Sequence, residues 1–247
     1  MFEDNFYDRL SSHYDVLQED LDPMQPASIC HDLIEKHCKA KGDGQDGKRI
    51  LCDLGCGNGR VTSLFPDMGY EVIGVDLSPE MLGRAREGSE DVLWLCQDIT
   101  ELDLFGSCDV FVSLLDTINH IMSEEDVRKI FASFRNFMNK GGVFIFDIGT
   151  YDHFSKTLGD QVFFEDYEEF TLLWDNHYDE EEQINEASLT LFEKTDDGDD
   201  SYVRSDGIIE ERYYEEETLI RLGQEEGLKF VDRVDDGERV YLAFRKE

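Results

Sequence analysis

The stretch LCDLGCGNGR, residues 51–60, places three glycines within five positions, directly behind a short apolar run and an aspartate. A continuous apolar run such as ILCDL (50–54) is typical of a strand that is buried on both faces of a parallel sheet. Glycines at its carboxyl end let the backbone approach a ligand closely and adopt positive φ angles. In an open α/β sheet, ligands bind at this position beside the first strand. The stretch therefore predicts both the fold class and the place of a ligand site.

Segments with strand-like and helix-like patterns alternate between residues 50 and 149. The predicted strands lie at 50–54, 71–76, 92–98, 109–116 and 143–149, with helices at 59–68, 78–87 and 124–140. Two of the helix starts carry capping signals: Ser78 precedes Pro79, and Ser123 precedes Asp126 by three residues. Such alternation predicts βαβ units and hence an α/β fold, a Rossmann-like, doubly wound parallel sheet with helices on both faces.

The segments that flank this alternation have different patterns. Residues 1–40 look helical, whereas apolar positions beyond residue 150 recur with period two, which predicts antiparallel strands. This β-rich insert, 151–215, contains 21 acidic and 4 basic residues, and DDGDD at 196–200 is the predicted tip of a hairpin. A helix that ends at Gly227 and two further strands follow it. We interpret residues 1–247 as a single domain, in which the insert is a sheet-like cover on the main α/β part.

The charge of the chain argues against two classes of partner. The 247 residues include 58 Asp and Glu against 23 Lys and Arg, a formal net charge of −35. Because such an acidic surface repels nucleic-acid phosphates and anionic lipids, we expect neither nucleic acid nor a membrane as a partner. The six cysteines show no metal-ligand spacing, and neither a signal peptide nor a membrane span is apparent. We therefore expect a cytoplasmic protein without a metal site.

Three kinds of ligand could explain the glycine loop at 55–59. A P-loop requires a lysine followed by serine or threonine, and neither stands at that spacing. A dinucleotide fingerprint requires a third glycine where Arg60 or Thr62 stands, which leaves NAD-dependent redox chemistry only a minor alternative. Asp53 disfavours a phosphate at the loop and favours a cation. S-adenosylmethionine fits these features, because it has no phosphate and carries a cationic amino acid end.

Two further acids end the second and third predicted strands. Asp76 follows Gly55 by 21 residues and can accept hydrogen bonds from both hydroxyls of a ribose, although NAD would also use such an acid. Asp98 can accept from an adenine amino group, while the backbone N–H of Ile99 can meet a ring nitrogen. Since the carboxyl ends of parallel strands meet at one sheet edge, these residues predict a nucleoside site beside the glycine loop.

Taken together, these motifs resemble those of a known family. The segments DLGCGNGR, GVDLSPEMLGRARE, QDIT, SLLDTINHI and GGVFIFDI resemble class I S-adenosylmethionine-dependent methyltransferases, in a small bacterial group with a β-rich insert after the fifth strand. The resemblance is close from residue 50 to 150 and loose elsewhere. It implies seven strands in the order 3-2-1-4-5-7-6, the last antiparallel. S-adenosylmethionine would be the cofactor, S-adenosylhomocysteine the product, and a small molecule the methyl acceptor.

The resemblance also implies roles for individual residues in binding the cofactor. Those expected at its methionine end are Asp53, Gly55, Cys56, Gly57 and Asp116. Asp76 would hold the ribose. Those expected around the adenine are Leu77, Met81, Asp98 and Ile99. The HYD segment at 13–15 matches an N-terminal segment that closes over the cofactor in similar proteins, which nominates Tyr14.

The chemistry of the methyl acceptor is left open. Displacement at the sulfonium methyl chiefly needs alignment and exclusion of water, and a base helps if the nucleophile arrives protonated. His120 is either such a base or simply a residue of a turn, so no catalytic residue is assigned. The insert carries several aromatic side chains: Trp174, His177, Tyr178, Tyr202, Tyr213 and Tyr214. They form either a buried sheet face or, with the surrounding acids, a lid suited to a cationic or amine acceptor.

A second function is compatible with the same motifs. A cofactor-binding sensor or scaffold without turnover, whose acidic insert docks a basic protein partner, would carry an identical glycine loop. The sequence indicates neither which acceptor is methylated nor the oligomeric state.

Overall fold

A computed structural model describes residues 10–17, 21–195 and 201–247. Its helices are α1 (Tyr14–Leu17), α2 (Met24–His37), α3 (Pro79–Gly88), α4 (Glu124–Phe137) and α5 (Glu216–Glu225). Its strands are β1 (Ile50–Leu54), β2 (Glu71–Asp76), β3 (Val92–Cys96), β4 (Cys108–Ser113), β5 (Met138–Gly149), β6 (Val162–Asp166), β7 (Phe170–Asp179), β8 (Ile184–Lys194), β9 (Tyr202–Arg212), β10 (Leu228–Asp235) and β11 (Arg239–Lys246). No helix in the described part of the chain is long and apolar enough to cross a membrane.

The main sheet has seven strands in the order β3-β2-β1-β4-β5-β11-β10. Strands β1 to β5 run parallel, while β11 pairs antiparallel with β5 and with β10. With β10 and β11 as the sixth and seventh strands, this is the predicted order 3-2-1-4-5-7-6. The strand order reverses between β1 and β4, so a crevice opens at their carboxyl ends.

Helices cover both faces of this sheet. On one face, apolar residues of α4 and α5 pack against the phenylalanines of β4, β5 and β11, and Phe131 and Phe134 lie at the centre of that cluster. On the other face, α2 and α3 bury Leu33, Ile34 and Leu82 against the sheet. The predicted doubly wound arrangement is therefore confirmed.

The predicted helix at 59–68 is wrong. The only regular segment described there is a 3₁₀ turn, Thr62–Leu64, where the N–H groups of Leu64 and Phe65 bond carbonyls three residues back. Pro66 has no N–H with which to bond the Thr62 carbonyl, and the N–H of Phe65 takes that carbonyl instead at 3.2 Å. A proline here removes a helix hydrogen bond and clashes with the carbonyl four residues back, which disfavours an α-helix through this position.

The other helix boundaries follow their capping signals closely. The Ser78 and Ser123 hydroxyls each accept from the backbone N–H three residues on, both at 3.1 Å. Helix α4 ends at Phe137, earlier than predicted, because β5 begins at Met138 rather than at 143. Lys246 Nζ caps the end of α4 by donating to carbonyls of the last turn and of Met138.

The insert forms a second, four-stranded antiparallel sheet in the order β6-β7-β8-β9, of which β6 was not predicted. Lys194 and Tyr202 pair across β8 and β9, and the predicted hairpin tip at 196–200 between them lies outside the described residues. Residues 1–9 and 18–20 of the predicted N-terminal helical segment also lie outside them. The inner face of the four-stranded sheet packs on the N-terminal segment. Leu10 of that segment forms a buried cluster with Phe170, Leu172, Leu189 and Leu191 of the sheet, and Trp174 packs against this cluster. Trp174 is half-buried and packs against this cluster, which agrees with the interpretation as a sheet face rather than a free lid.

Candidate functional site

Two adjoining cavities lie at the carboxyl ends of β1 to β4. The larger, of about 400 Å³, is in the size range of small-molecule sites. Eight of the predicted residues line it: Tyr14, Gly55, Gly57, Asp76, Leu77, Met81, Asp98 and Ile99. The smaller, of about 60 Å³, is lined by Asp53 and Cys56 together with Tyr14, Gly55 and Gly57. The structure therefore brings ten of the eleven predicted residues together and leaves Asp116 outside both linings.

Asp53 has a carboxylate oxygen without a hydrogen-bond partner at the smaller cavity. The residue is 2% exposed, and its Oδ2 accepts a bond from Thr62 Oγ1 at 2.6 Å. Its Oδ1 is buried and unsatisfied among the described residues. Burial raises the pKa of Asp53 to about 7, against the hydrogen bond from Thr62, which lowers it. A buried acceptor with no donor is costly, so the site fits a cationic donor such as an amino acid ammonium group.

Asp76 organises the glycine loop from the end of β2. Its Oδ2 accepts from the Gly57 N–H at 2.7 Å, and its Oδ1 accepts from the Ser78 N–H at 2.9 Å. A carboxylate has about four acceptor positions in all, so bonding the loop backbone is compatible with accepting from a ribose hydroxyl. Asp76 therefore has a structural role that the sequence did not indicate, besides its predicted role in binding.

The residues predicted around the adenine form one wall of the larger cavity. Asp98 follows β3 and caps the next turn by accepting from the Thr100 N–H at 2.8 Å. Ile99 and Met81 are buried, whereas Leu77 is 48% exposed although it lies in the lining. An exposed leucine beside two buried apolar side chains and an acid suits a flat, weakly polar ring with an amino group at its edge.

Gly55 cannot be replaced without moving the loop that follows β4. Its φ is +76°, and a Cβ there would lie 2.3 Å from Thr117 Cγ2. The Thr117 hydroxyl is 3.2 Å from the Gly55 carbonyl and 2.9 Å from that of Leu114. Thr117 also lines the larger cavity, a role that sequence reasoning missed because nothing in its spacing links it to Gly55.

Tyr14 lies in both cavity linings, as its predicted role requires. Burial and, after it, the nearby carboxylates Asp116, Asp76 and Glu211 together raise the pKa of its hydroxyl to about 12. The N-terminal segment that carries it is anchored to the insert. His13 Nε2 lies 2.9 Å from Glu193 Oε1 on β8. The segment and the insert therefore cover the cavities together.

Asp116 forms an ion pair that the sequence did not indicate. Its carboxylate binds Arg239 of β11 through two hydrogen bonds, of 2.6 and 2.5 Å. Arg239 also donates to the fully buried Asp147 at 2.8 Å. Burial alone would raise the pKa of Asp116, but Arg239 lowers it below its usual value. Asp116 lies near enough to Tyr14 to raise the pKa of its hydroxyl. The Asp116 carboxylate itself is bound in the ion-pair network and lines neither cavity.

The insert contributes a wall that was not predicted in detail. Ile208, Ile209 and Glu210 of β9 line the larger cavity together with His120. His120 Nδ1 lies 3.3 Å from the carbonyl oxygen of Glu210, and its Nε2 lies 3.5 Å from a carboxylate oxygen of Glu211. His120, a candidate base from the sequence, is thus at the cavity and faces acceptors on the insert.

Comparison with known proteins extends this assignment beyond geometry. Residues 51–142 match the family model described as a methyltransferase domain. The putative methyltransferase YqeM of Bacillus subtilis is 31% identical over 172 residues, 67% of each chain. The crystal structure of an S-adenosylmethionine-dependent methyltransferase from Clostridium acetobutylicum is 28% identical, with a TM-score of 0.78 over 98% of this chain and 99% of that one. The glycine/sarcosine N-methyltransferase of Halorhodospira halochloris is 29% identical over 140 residues, 49% of this chain and 50% of that protein. Identity at this level over two thirds of both chains, joined to a fold that matches along its whole length, makes this chain a member of the class I S-adenosylmethionine-dependent methyltransferases.

Proposed function

We propose that the protein transfers the methyl group of S-adenosylmethionine to the nitrogen of a small amine and releases S-adenosylhomocysteine. S-adenosylmethionine-dependent methyl transfer follows from the family. The identity of the acceptor and the positions of the two ligands are our proposal. The observation that carries the cofactor position is the unsatisfied Oδ1 of Asp53, since it is buried at the cavity that adjoins the glycine loop.

In this proposal the cofactor spans the two adjoining cavities. Its ammonium group bonds Asp53 in the smaller cavity, and its ribose hydroxyls bond Asp76. The adenine lies against Leu77, Met81 and Ile99 with its amino group toward Asp98. The backbone around Gly55 and Gly57 approaches the methionine portion, and Tyr14 covers it.

An amine acceptor is supported by the charges around Tyr14. The carboxylates of Asp76, Asp116 and Glu211 act on its hydroxyl from three different elements, and the one arginine that opposes them, Arg239, is bound to two aspartates. This region therefore attracts a cation and repels an anionic acceptor. The glycine/sarcosine N-methyltransferase similarity supports the same class of acceptor.

The chain's own residues supply alignment, shielding and a place for a proton. Bound S-adenosylmethionine supplies an electrophilic methyl group with a neutral leaving group. The N-terminal segment and β9 shield the cavity from water. Holding the acceptor in line with the methyl group can lower the barrier by on the order of 7–11 kcal/mol. An amine attacks only when neutral, so an ammonium acceptor must lose a proton, and His120 is the candidate that lines the cavity.

A screen of acceptors tests this function. We expect the wild type with S-adenosylmethionine to form S-adenosylhomocysteine with small primary or secondary amines, and not with carboxylates or phenols of similar size. His120→Asn is expected to lower kcat for the amine by about 10²-fold or more at pH 7, since loss of a positioned base has that effect. Methylation of carboxylates or phenols alone would refute the amine proposal, and tight binding without any turnover would favour a sensor.

The pH dependence of binding tests the position of the cofactor. The ammonium group pairs with ionised Asp53, whose pKa without ligand is about 7. Below that pH binding must release a proton, so affinity for S-adenosylhomocysteine is expected to rise about tenfold from pH 6 to pH 8 and to level off above. Calorimetry in buffers of different ionisation enthalpy measures both the affinity and the proton release. Asp53→Asn should remove the dependence, and a flat profile in the wild type would contradict the assignment.

A further inference from the structure

The loop that follows β4 has an unusual backbone at the point where it lines both cavities. Leu115 and Asp116 are consecutive non-glycine residues with φ angles of +57° and +67°. L-residues rarely adopt this left-handed region, and two in succession persist only when the surroundings hold them. Leu115 lines the larger and the smaller cavity. Its conformation therefore sets the shape of the wall that both cavities share.

An ion-pair network holds this backbone from behind. The Leu115 N–H donates to Asp147 Oδ1 at 2.8 Å, and the Asp116 carboxylate receives the two donors of Arg239. Arg239 also bonds Asp147 Oδ2, so a single guanidinium joins the two acids that fix the two left-handed residues. The planar fork of arginine matches this arrangement. A lysine ammonium is a single point charge and cannot reproduce the paired bonds to Asp116 together with the bond to Asp147.

The same loop is coupled to the glycine loop. Thr117 follows directly and lies within hydrogen-bond distance of the carbonyl oxygens of Gly55 and Leu114. Its side chain fills the space that a Cβ on Gly55 would need. A shift of Leu115 and Asp116 would therefore move Thr117 and with it the backbone of the glycine loop.

We infer that Arg239 is a positioning residue of the cofactor site, which it shapes through the left-handed Leu115–Asp116 backbone without lining either cavity. Arg239 begins β11, 123 residues after Asp116, and belongs to the C-terminal hairpin. The inference rests on the cofactor position proposed above. Titration of the wild type tests that position separately, since its failure to bind S-adenosylhomocysteine would reject the position before any variant is compared.

The experiment measures the S-adenosylhomocysteine affinity of Arg239→Lys by calorimetry. We expect a loss of about tenfold or more, as for removal of a charge-assisted hydrogen bond. The KM for S-adenosylmethionine should rise by the same factor with a smaller change in kcat. Arg233→Lys is the matched control, because Arg233 lies on the same hairpin and binds Glu216 of α5 and Asp235 of β10. Among the described residues it has no hydrogen bond or ion pair to the loop after β4. This control should keep the wild-type affinity.

A double-variant cycle separates positioning from general stability. Asp116→Asn keeps an acceptor oxygen and tolerates a left-handed φ, so it should lose affinity and still fold even if Arg239→Lys does not. When both single variants fold, the double variant Asp116→Asn with Arg239→Lys should lose no more affinity for S-adenosylhomocysteine than the weaker-binding single variant. Both changes disrupt the same ion pair, so their effects should not add. Wild-type affinity in Arg239→Lys or Asp116→Asn, additive losses in the cycle, or equal losses in Arg239→Lys and Arg233→Lys would overturn the inference.

Discussion

Asp53→Asn is expected to bind S-adenosylhomocysteine about 10- to 150-fold more weakly than the wild type, which corresponds to about 1.5–3 kcal/mol for a hydrogen bond to a charged group. The amide keeps an oxygen that can accept from Thr62, so the fold around residue 53 should not change. The amide loses the negative charge that the ammonium group of the ligand requires. Calorimetric titration at pH 8, where the wild-type carboxylate is ionised, measures the loss.

The same substitution should leave the ligand-free protein as stable as the wild type or make it more stable. The pKa of Asp53 rises from 3.8 to about 7 on folding, so this group costs stability progressively as the pH rises between those values. The gain of Asp53→Asn in Tm should therefore be absent near pH 4, grow toward pH 7 and stay constant above. Opposite changes in affinity and stability are typical of a residue kept for function.

Another buried aspartate provides the control for this prediction. Asp109 on β4 is 1% exposed, and its side chain accepts from the Ile50 N–H at 2.9 Å and from Asn139. It stands near the amino end of β4, away from the cavities. Asp109→Asn should lower Tm and leave the affinity unchanged. A loss of both quantities in both variants would show that Asp53 is merely structural.

The fold could be predicted because its signals are local. Five apolar segments with intervening helical patterns suffice for a parallel sheet, and the hydroxyls of Ser78 and Ser123 cap the helices that they were expected to start. The prediction of a helix at 59–68 was wrong because it gave more weight to the apolar content of the segment than to Pro66, which lacks the N–H that the helix needs. Strand β6 was missed since its alternation is short and half exposed, with Phe164 69% exposed.

The candidate site could be predicted only where one strand end carries the information. Asp53 and Asp76 stand within the last two residues of β1 and β2, Asp98 stands two residues after β3, and the sheet brings such positions together. The partner of Asp116 could not be found in this way, because Arg239 is 123 residues distant and no spacing relates the two. For the same reason the sequence, which suggested the insert as a cover of the site, did not identify β9 as the strand that lines the cavity.

Gly55→Ala and Gly57→Ala are expected to fail in different ways, although both glycines have positive φ angles, of +76° and +53°. A Cβ at residue 55 would lie 2.3 and 2.5 Å from atoms of Thr117. Backbone strain of about 1–2 kcal/mol and overpacking of about 1–3 kcal/mol should then lower stability by about 2–5 kcal/mol, or roughly 4–20 °C in Tm. Thr117→Ala in the same chain should recover the overpacking part alone.

At residue 57 a Cβ meets no atom of the described chain within 4 Å, although Gly57 lies in both cavity linings. Gly57→Ala should therefore cost only the backbone strain of about 1–2 kcal/mol in the ligand-free protein. Its methyl group would stand in space that the cofactor is proposed to fill, so affinity for S-adenosylhomocysteine should fall at least about tenfold. Thermal unfolding with and without the ligand separates the two variants. If Gly57→Ala kept full affinity, the open space beside this glycine would not be cofactor space, and the proposed position of the methionine portion would have to move.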